Sequence, residues 1–232
     1  MLKLYQFDYS SYCIKIRAIL NVKALDYTTI ELIPGLTQHR ARQISGQSKV
    51  PVLVDGQTVI VDSTEIALYL DTAYPSPQLI PDRYDDYKTC LLWEDWADEA
   101  LVPAVRSVTY EAIMSNPERG LELLPPYGHM GLDVMAPALM RVMVPLFVRY
   151  YNITPAQRRA DEGRLERYLN LLAGAVASGG YLIGDRLTLA DIAVAASCRS
   201  LNVVASVHNA PHYQGLFTWC DRILAECLIP AR

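Results

Sequence analysis

The chain has 232 residues, 51% of them hydrophobic and 20% charged, enough to bury one generous core or two modest ones as an ordinary soluble globular protein of one or two domains. A formal net charge of −4 and an isoelectric point near 5.6 argue against a nucleic-acid binder, which needs a basic stripe to neutralise phosphates. The opening "MLKLYQFDY" has no basic stretch followed by a long apolar run, so neither a signal nor a transit peptide is expected.

From the N-terminus, "LKLYQF" (Leu2 to Phe7) and "YTTIEL" (Tyr27 to Leu32) are rich in apolar, aromatic and β-branched residues and predict strands. Between them Ile14, Ala18, Leu20 and Leu25 give Ser11 to Leu25 a helix-like spacing, completing a βαβ unit. "VPVLVDG" and "QTVIVDS" meet at Asp55-Gly56, a dipeptide suited to the positive φ of a tight hairpin turn, and a helix from about Ser63 to Ala73 follows. The order βαβ, then ββα, predicts a small mixed sheet with helices packed on it. "YPSPQLIP" sets three prolines in eight residues, which cannot continue a helix and favour an extended connector. A domain boundary is expected there, with an α/β domain over residues 1–76 and an all-helical one over 85–232.

Helices are expected near Tyr84 to Met114, His129 to Tyr150, Thr154 to Ala177, Thr188 to Val207 and His212 to Cys227, with Pro103, Pro137 and Pro145 predicting kinks. The apolar stretch from Met130 to Val148 is interrupted by Asp133, Pro137, Arg141 and Pro145, so a buried or groove-lining helix is expected rather than a membrane span. In "RLTLADIAVAA", Thr188 and Asp191 have the spacing of a capping box, and the apolar residues after them predict a helix buried on nearly all sides.

The five cysteines, Cys13, Cys90, Cys198, Cys220 and Cys227, are odd in number, widely spaced and without a C-x-x-C pair, which fits a reduced cytosolic chain. There is no G-x-G-x-x-G, Walker loop, G-x-S-x-G or H-E-x-x-H motif. With four histidines in all, two of them in the loop-like "HNAPH", no metal site is expected.

Four segments in order now stand out: "SSYCIKIR" opening the first helix, "KVPVL" with Val50-Pro51, "DSTEIALYLDTAYPSPQLIP" from Asp62, and "YLIGDRLTLADI" from Tyr181. Together they resemble the soluble glutathione transferase family over nearly the whole chain. The resemblance implies a thioredoxin-like α/β N-terminal domain that binds glutathione and an all-α C-terminal domain that walls an electrophile pocket and makes dimer contacts. It also implies a cytoplasmic, detoxifying homodimer that uses glutathione as co-substrate and no metal. By the same resemblance the Val50-Pro51 bond is cis, and Val50 makes main-chain hydrogen bonds to the cysteinyl part of glutathione. Ser63 binds the γ-glutamyl carboxylate with its hydroxyl and the first-turn N–H groups of its helix. The family's usual Glu or Gln before that serine is Asp62 here, one methylene shorter, and a bridging water is one way for it to reach the ligand's amino group. His39 and Lys49 match positions used for the glycyl carboxylate.

"SSYCIKIR" is similar to the serine-type opening of the family, as in zeta-, tau- and theta-like classes, and it also looks like the zeta-class opening, which has two adjacent serines. Ser10 then falls at the catalytic serine, and Ser11 competes with it because both hydroxyls sit at one helix start. In tyrosine-type classes the catalytic tyrosine lies within the first strand, where this chain has Gln6; Tyr5 faces the other side. Cysteine-type members carry their nucleophile where Ser10 stands, and Cys13 reads as a small core residue. A serine hydroxyl is too weak a base to deprotonate a thiol of pKa ~8.5. As a donor to the thiolate it contributes ~1.5–3 kcal/mol, which lowers the thiol pKa by roughly one to two units. Tyr9, Tyr12, Arg106 and Tyr110 are expected to line the pocket of a small hydrophobic electrophile, whereas Trp93 and Trp96 read as core. Isomerisation or peroxide reduction by the same thiolate, and a glutathione-binding module without catalysis, are the alternatives.

Overall fold

A computed structural model describes residues 1–33, 37, 39–123 and 136–229; residues 129–135 of the helix expected from His129 lie outside them. Strand β1 (Leu2–Gln6) buries Leu2, Leu4 and Gln6 and turns Lys3 outward, the period of two that a half-covered strand requires. Helix α1 (Ser11–Val22) follows, then β2 (Tyr27–Glu31), which pairs parallel with β1 from Leu2–Tyr27 to Gln6–Glu31. Strands β3 (Val52–Asp55) and β4 (Thr58–Val61) form the expected hairpin, with Gly56 at φ 58° in its turn. Because β3 pairs antiparallel with β1, the sheet is mixed, in the order β2-β1-β3-β4.

A short helix α2 (His39–Ser45) was not expected from the sequence: its seven residues bury Ala41 alone, too little apolar periodicity to read. Helix α3 (Ser63–Ala73) closes the α/β half and packs on β3 and β4 and against α1. The proline-rich connector is held by two side chains. Lys23, 5% exposed, donates to Asp71 and to the carbonyls of Tyr74 and Pro77, and Asp71 accepts from the N–H groups of Leu79 and Ile80.

Beyond the connector the described chain is helical: α4 (Tyr84–Trp96), α5 (Val102–Ser115), α6 (Ala136–Tyr150), α7 (Pro155–Ala175), α8 (Leu189–Cys198), the single-turn α9 (Ala205–His208) and α10 (Gln214–Glu226). Between α4 and α5 the helix widens into a π turn, Ala97–Leu101, where the Val102 N–H reaches back five residues to the Ala97 carbonyl. Pro103, which has no N–H to give, sits at the start of α5, so the predicted disturbance takes the form of a register shift. Pro145 lies inside α6, which runs through it. The span expected from Thr188 to Val207 is divided, with a 3₁₀ turn, Arg199–Val203, after α8.

Helix α8 occupies the centre of the helical half, all ten of its residues buried, packed on α1, α4 and α10. Its capping box forms. The Asp191 carboxylate, 0% exposed, accepts from the Thr188 N–H at 2.9 Å, the Thr188 hydroxyl at 2.7 Å and the Leu182 N–H at 2.7 Å. All five cysteines are buried and unpaired by disulfides. Among the described residues no helix is long and apolar enough to cross a membrane.

Candidate active site

The sequence starts both α1 and α3 directly after a strand, so their N-termini open at one end of the sheet. Ser10 is the N-cap residue of α1 at φ −71° and ψ 125°, with no capping bond from its side chain. Its N–H donates to the Phe7 carbonyl at 3.0 Å, and its carbonyl accepts from Ile14 at 2.8 Å. Ser11 is the first helical residue and is half-buried. The Cys13 thiol is 0% exposed; burial pushes it up to about 12, while the neighbouring Phe7 backbone and the Ser10 hydroxyl pull the other way. Gln6 is committed elsewhere, donating to Glu31 and accepting from Arg17.

The Val50-Pro51 bond is cis. Pro51 is buried at the mouth of β3, Val50 is half-buried, and Lys49 beside it is exposed, as is His39 at the start of α2. Asp62 caps α3 from an unusual backbone position, φ 72° and ψ 133°, a region that costs a non-glycine residue about 1–3 kcal/mol and persists only where its surroundings impose it. Its carboxylate accepts from the Thr64 N–H at 2.9 Å and the Glu65 N–H at 3.4 Å. The expectation that those first-turn amides stand open to an outside anion does not hold in this arrangement. Ser63, 5% exposed, donates its hydroxyl to Asp98 at 3.1 Å.

Asp98 belongs to a buried polar joint that the sequence reading did not find. Lys15, 1% exposed, points from α1 across to the helical half and donates to Glu94 at 2.5 Å and Asp98 at 2.6 Å. Thr64 donates to Glu94 at 2.8 Å, and the Tyr12 hydroxyl donates to the Asp98 carbonyl at 3.1 Å. One ammonium faces two carboxylates, so the joint is formally one charge negative. Burial raises the Asp98 carboxyl above the usual carboxylate range, against the pull of the Lys15 ammonium. The available signal was a lysine inside the apolar run "CIKIRAIL" and two acids four apart, which together mark a buried ion pair only once the helices are docked.

Of the four expected pocket residues, Tyr12 and Arg106 are brought together. Burial pushes the Tyr12 phenol up to about 12, with the adjacent Arg106 guanidinium opposing it. Arg106 lies over the Tyr151 ring, 4.0 Å from its centre. Tyr110, one turn further along α5, stacks on Phe147 at 6.0 Å and also meets Tyr151 at 6.4 Å; burial raises its phenol. Tyr9 stacks on Phe7 at 6.1 Å. Trp93 and Trp96 are half-buried against the core, Trp96 also meeting Tyr168 edge-on. A separate cavity of about 360 Å³, lined by Glu111, Arg119 and Glu162 among others, holds none of these residues. Among the described residues no three His, Cys, Asp or Glu gather as metal ligands.

Two family models match the chain: glutathione S-transferase, N-terminal domain, over residues 4–78, and glutathione S-transferase, C-terminal domain, over residues 155–222. The sequence is 42% identical to glutathione S-transferase Z2 of Arabidopsis thaliana over 86 residues, 36% of this chain and 39% of the relative. It is 38% identical to a probable maleylacetoacetate isomerase of Vibrio cholerae over 85 residues, 34% of this chain and 40% of that protein. The matches thus span about two fifths of these relatives. In fold, the chain is similar to the beta-etherase LigF of Sphingobium, with a TM-score of 0.71 and 22% identity over 98% of both chains. It is also similar to a glutathione S-transferase of Methylobacillus flagellatus with glutathione bound, TM-score 0.65 and 20% identity over 97% of this chain and 93% of the other.

Proposed function

Because this chain belongs to the glutathione S-transferase family, we propose that it binds glutathione where α1 and α3 begin and delivers its thiolate to a small hydrophobic electrophile. The observation that carries this reading is the convergence of Ser63, Tyr12 and Asp98 between those two helix starts, beside the cis Val50-Pro51 bond. In it, the γ-glutamyl carboxylate meets Ser63, with its own N–H and the positive end of α3 nearby. Asp62 and a water serve the amino group, and Val50 pairs with the cysteinyl backbone as an added strand would. The exposed side chains of Lys49 and His39 face the glycyl carboxylate.

The thiol then lies at the start of α1. Ser10 donates to the thiolate as it forms, the helix end adds positive potential, and the sulfur attacks the electrophilic carbon while the thiol proton goes to solvent. Ser11 is the second candidate, and one observation favours it: the Ser10 hydroxyl already stands beside the Cys13 thiol. Tyr9, Tyr12, Arg106 and Tyr110 wall the electrophile. The protein works in this proposal as a cytoplasmic homodimer, with the residues before about 76 holding glutathione and those after about 85 shaping the pocket. A glutathione-dependent isomerase is the second reading, favoured by the 38% identity to the probable maleylacetoacetate isomerase.

The test is an ultraviolet difference titration of glutathione bound to wild type, Ser10→Ala and Ser11→Ala. A thiol pKa roughly one to two units below that of free glutathione is expected in wild type, lost in whichever serine variant removes the donor. Bound glutathione with an unshifted thiol would leave a binding module, and no binding would sink the proposal.

A further inference from the structure

We propose that the electrophile taken at this site carries a carboxylate, held by the Arg106 guanidinium. The inference rests on the reading of the site as one for glutathione and an electrophile, and adds the substrate's chemical class. Arg106 is a half-buried cation, and among the described residues it forms no ion pair. Arg17, Arg83, Arg158, Arg164 and Arg222 each hold a carboxylate. Desolvating a guanidinium without an anion is unfavourable, and its hydrogen bond to Tyr12 and its place over the Tyr151 ring bring no negative charge, so a half-buried guanidinium that no described carboxylate pairs with is matched to an anion from outside.

The surroundings define what that partner is. The Arg106 guanidinium carbon lies 4.0 Å from the centre of the Tyr151 ring, and its N–H groups beyond the one shared with the Tyr12 hydroxyl suit a planar, bidentate acceptor such as a carboxylate. Tyr12 stands beside it, with its own proton donated to the Asp98 carbonyl. Asp98 is occupied by Lys15 and Ser63, so it does not neutralise Arg106. The aromatic wall of Tyr110, Phe147 and Tyr151 takes the apolar body of the ligand. The joint that bonds to Tyr12 also bonds to Ser63, which ties Arg106 to the same end of the α/β half as the expected glutathione site.

Such an arrangement has a chemical consequence. A carboxylate conjugated to an electrophilic carbon feeds electron density into it and slows attack by a thiolate. Pairing with a guanidinium withdraws that density. With 4-chloro-3-nitrobenzoate as probe, the glutathione sulfur forms a C–S bond at the ring carbon, the C–Cl bond breaks, and chloride leaves with its electron pair.

The experiment compares kcat/KM for 4-chloro-3-nitrobenzoate and its methyl ester in wild type, Arg106→Gln and Arg106→Lys, and measures binding of the acid alone by quenching of tryptophan fluorescence over a range of KCl. Arg106→Gln is expected to lower the acid-to-ester ratio roughly tenfold or more, the worth of a charge-assisted pair, with part of it restored by Arg106→Lys. Wild-type binding of the acid is expected to weaken with salt. An unchanged ratio in Arg106→Gln, or binding of the acid that ignores both Arg106 and salt, overturns the proposal. Arg106-dependent binding of the acid with no turnover of either electrophile supports the anion site and sinks the transferase reading instead. Turnover of the ester with neither binding nor turnover of the acid does the reverse.

Discussion

Replacing Lys15 with methionine removes the only cation from a joint in which Glu94 is 1% and Asp98 8% exposed. The two carboxylates keep their other donors, Thr64 and Ser63, but lose bonds of 2.5 and 2.6 Å to the ammonium. Breaking a buried pair on one side costs about 3–5 kcal/mol, because the remaining charge stays desolvated. That is a large share of the ~5–15 kcal/mol that a domain has in all. The cost also depends on pH. Asp98 already sits above the ordinary carboxylate range because of burial, and Lys15 is what holds it down. Without Lys15 it rises further, and a group whose folded pKa exceeds its unfolded one stabilises the fold only in its protonated form. That contribution is complete below the unfolded value, about 4 for Asp, and is lost as pH rises through the folded value. Lys15→Met should therefore unfold at lower urea than wild type near neutrality, with the gap closing as pH falls toward about 4. Adding Glu94→Leu and Asp98→Asn should recover most of the loss, since an apolar replacement of a whole ion pair is often neutral. A gap under about 1 kcal/mol at neutral pH, or one that does not change with pH, would refute this account of the joint.

Asp191→Ala strands two N–H groups and a hydroxyl inside the protein and should cost at least about 2 kcal/mol in urea unfolding, against about 1 kcal/mol for Thr188→Val, where only the hydroxyl is lost; equal losses would contradict the three-bond geometry. Cys13, with no exposure and a thiol pushed up to about 12, should resist iodoacetamide in the native protein at pH ~8 and react on unfolding. Mass spectrometry reads the site directly, and alkylation of Cys13 at the denatured rate would show that it is not buried as described.

Local features were legible in the sequence where a single element decides them. Leu2 to Gln6 alternates and is a strand; Asp55-Gly56 turns a hairpin; Ser63 to Ala73 begins and ends where its cap and its connector say. The Thr188 capping box was legible because its partners are three residues apart. What could not be read depends on docking. Lys15 and Glu94 are 79 positions apart, and neither residue alone distinguishes a buried ion from a solvated one. The commitment of Ser63 to Asp98 is hidden for the same reason. Helix α2 is held by its neighbours more than by its own pattern, and the π turn is a response to Pro103 that no periodicity of apolar residues records.

The π turn has a consequence for how this fold can vary. It lies between Glu94, which serves the joint, and Arg106 with Tyr110, which serve the wall, on what is otherwise one helical rod. Each residue of an α-helix advances the rod by about 100° of rotation. The wide turn absorbs one residue's share of that rotation, so deleting the surplus residue would restore plain α-helix with joint and wall facing as they do now, whereas closing the turn at constant length would swing the wall relative to the joint by about that angle. Length at this point is therefore buffered: a single codon lost there is taken up by the wide turn, whereas one lost elsewhere on the rod re-aims the pocket as a unit, and point substitutions change only what the pocket is made of.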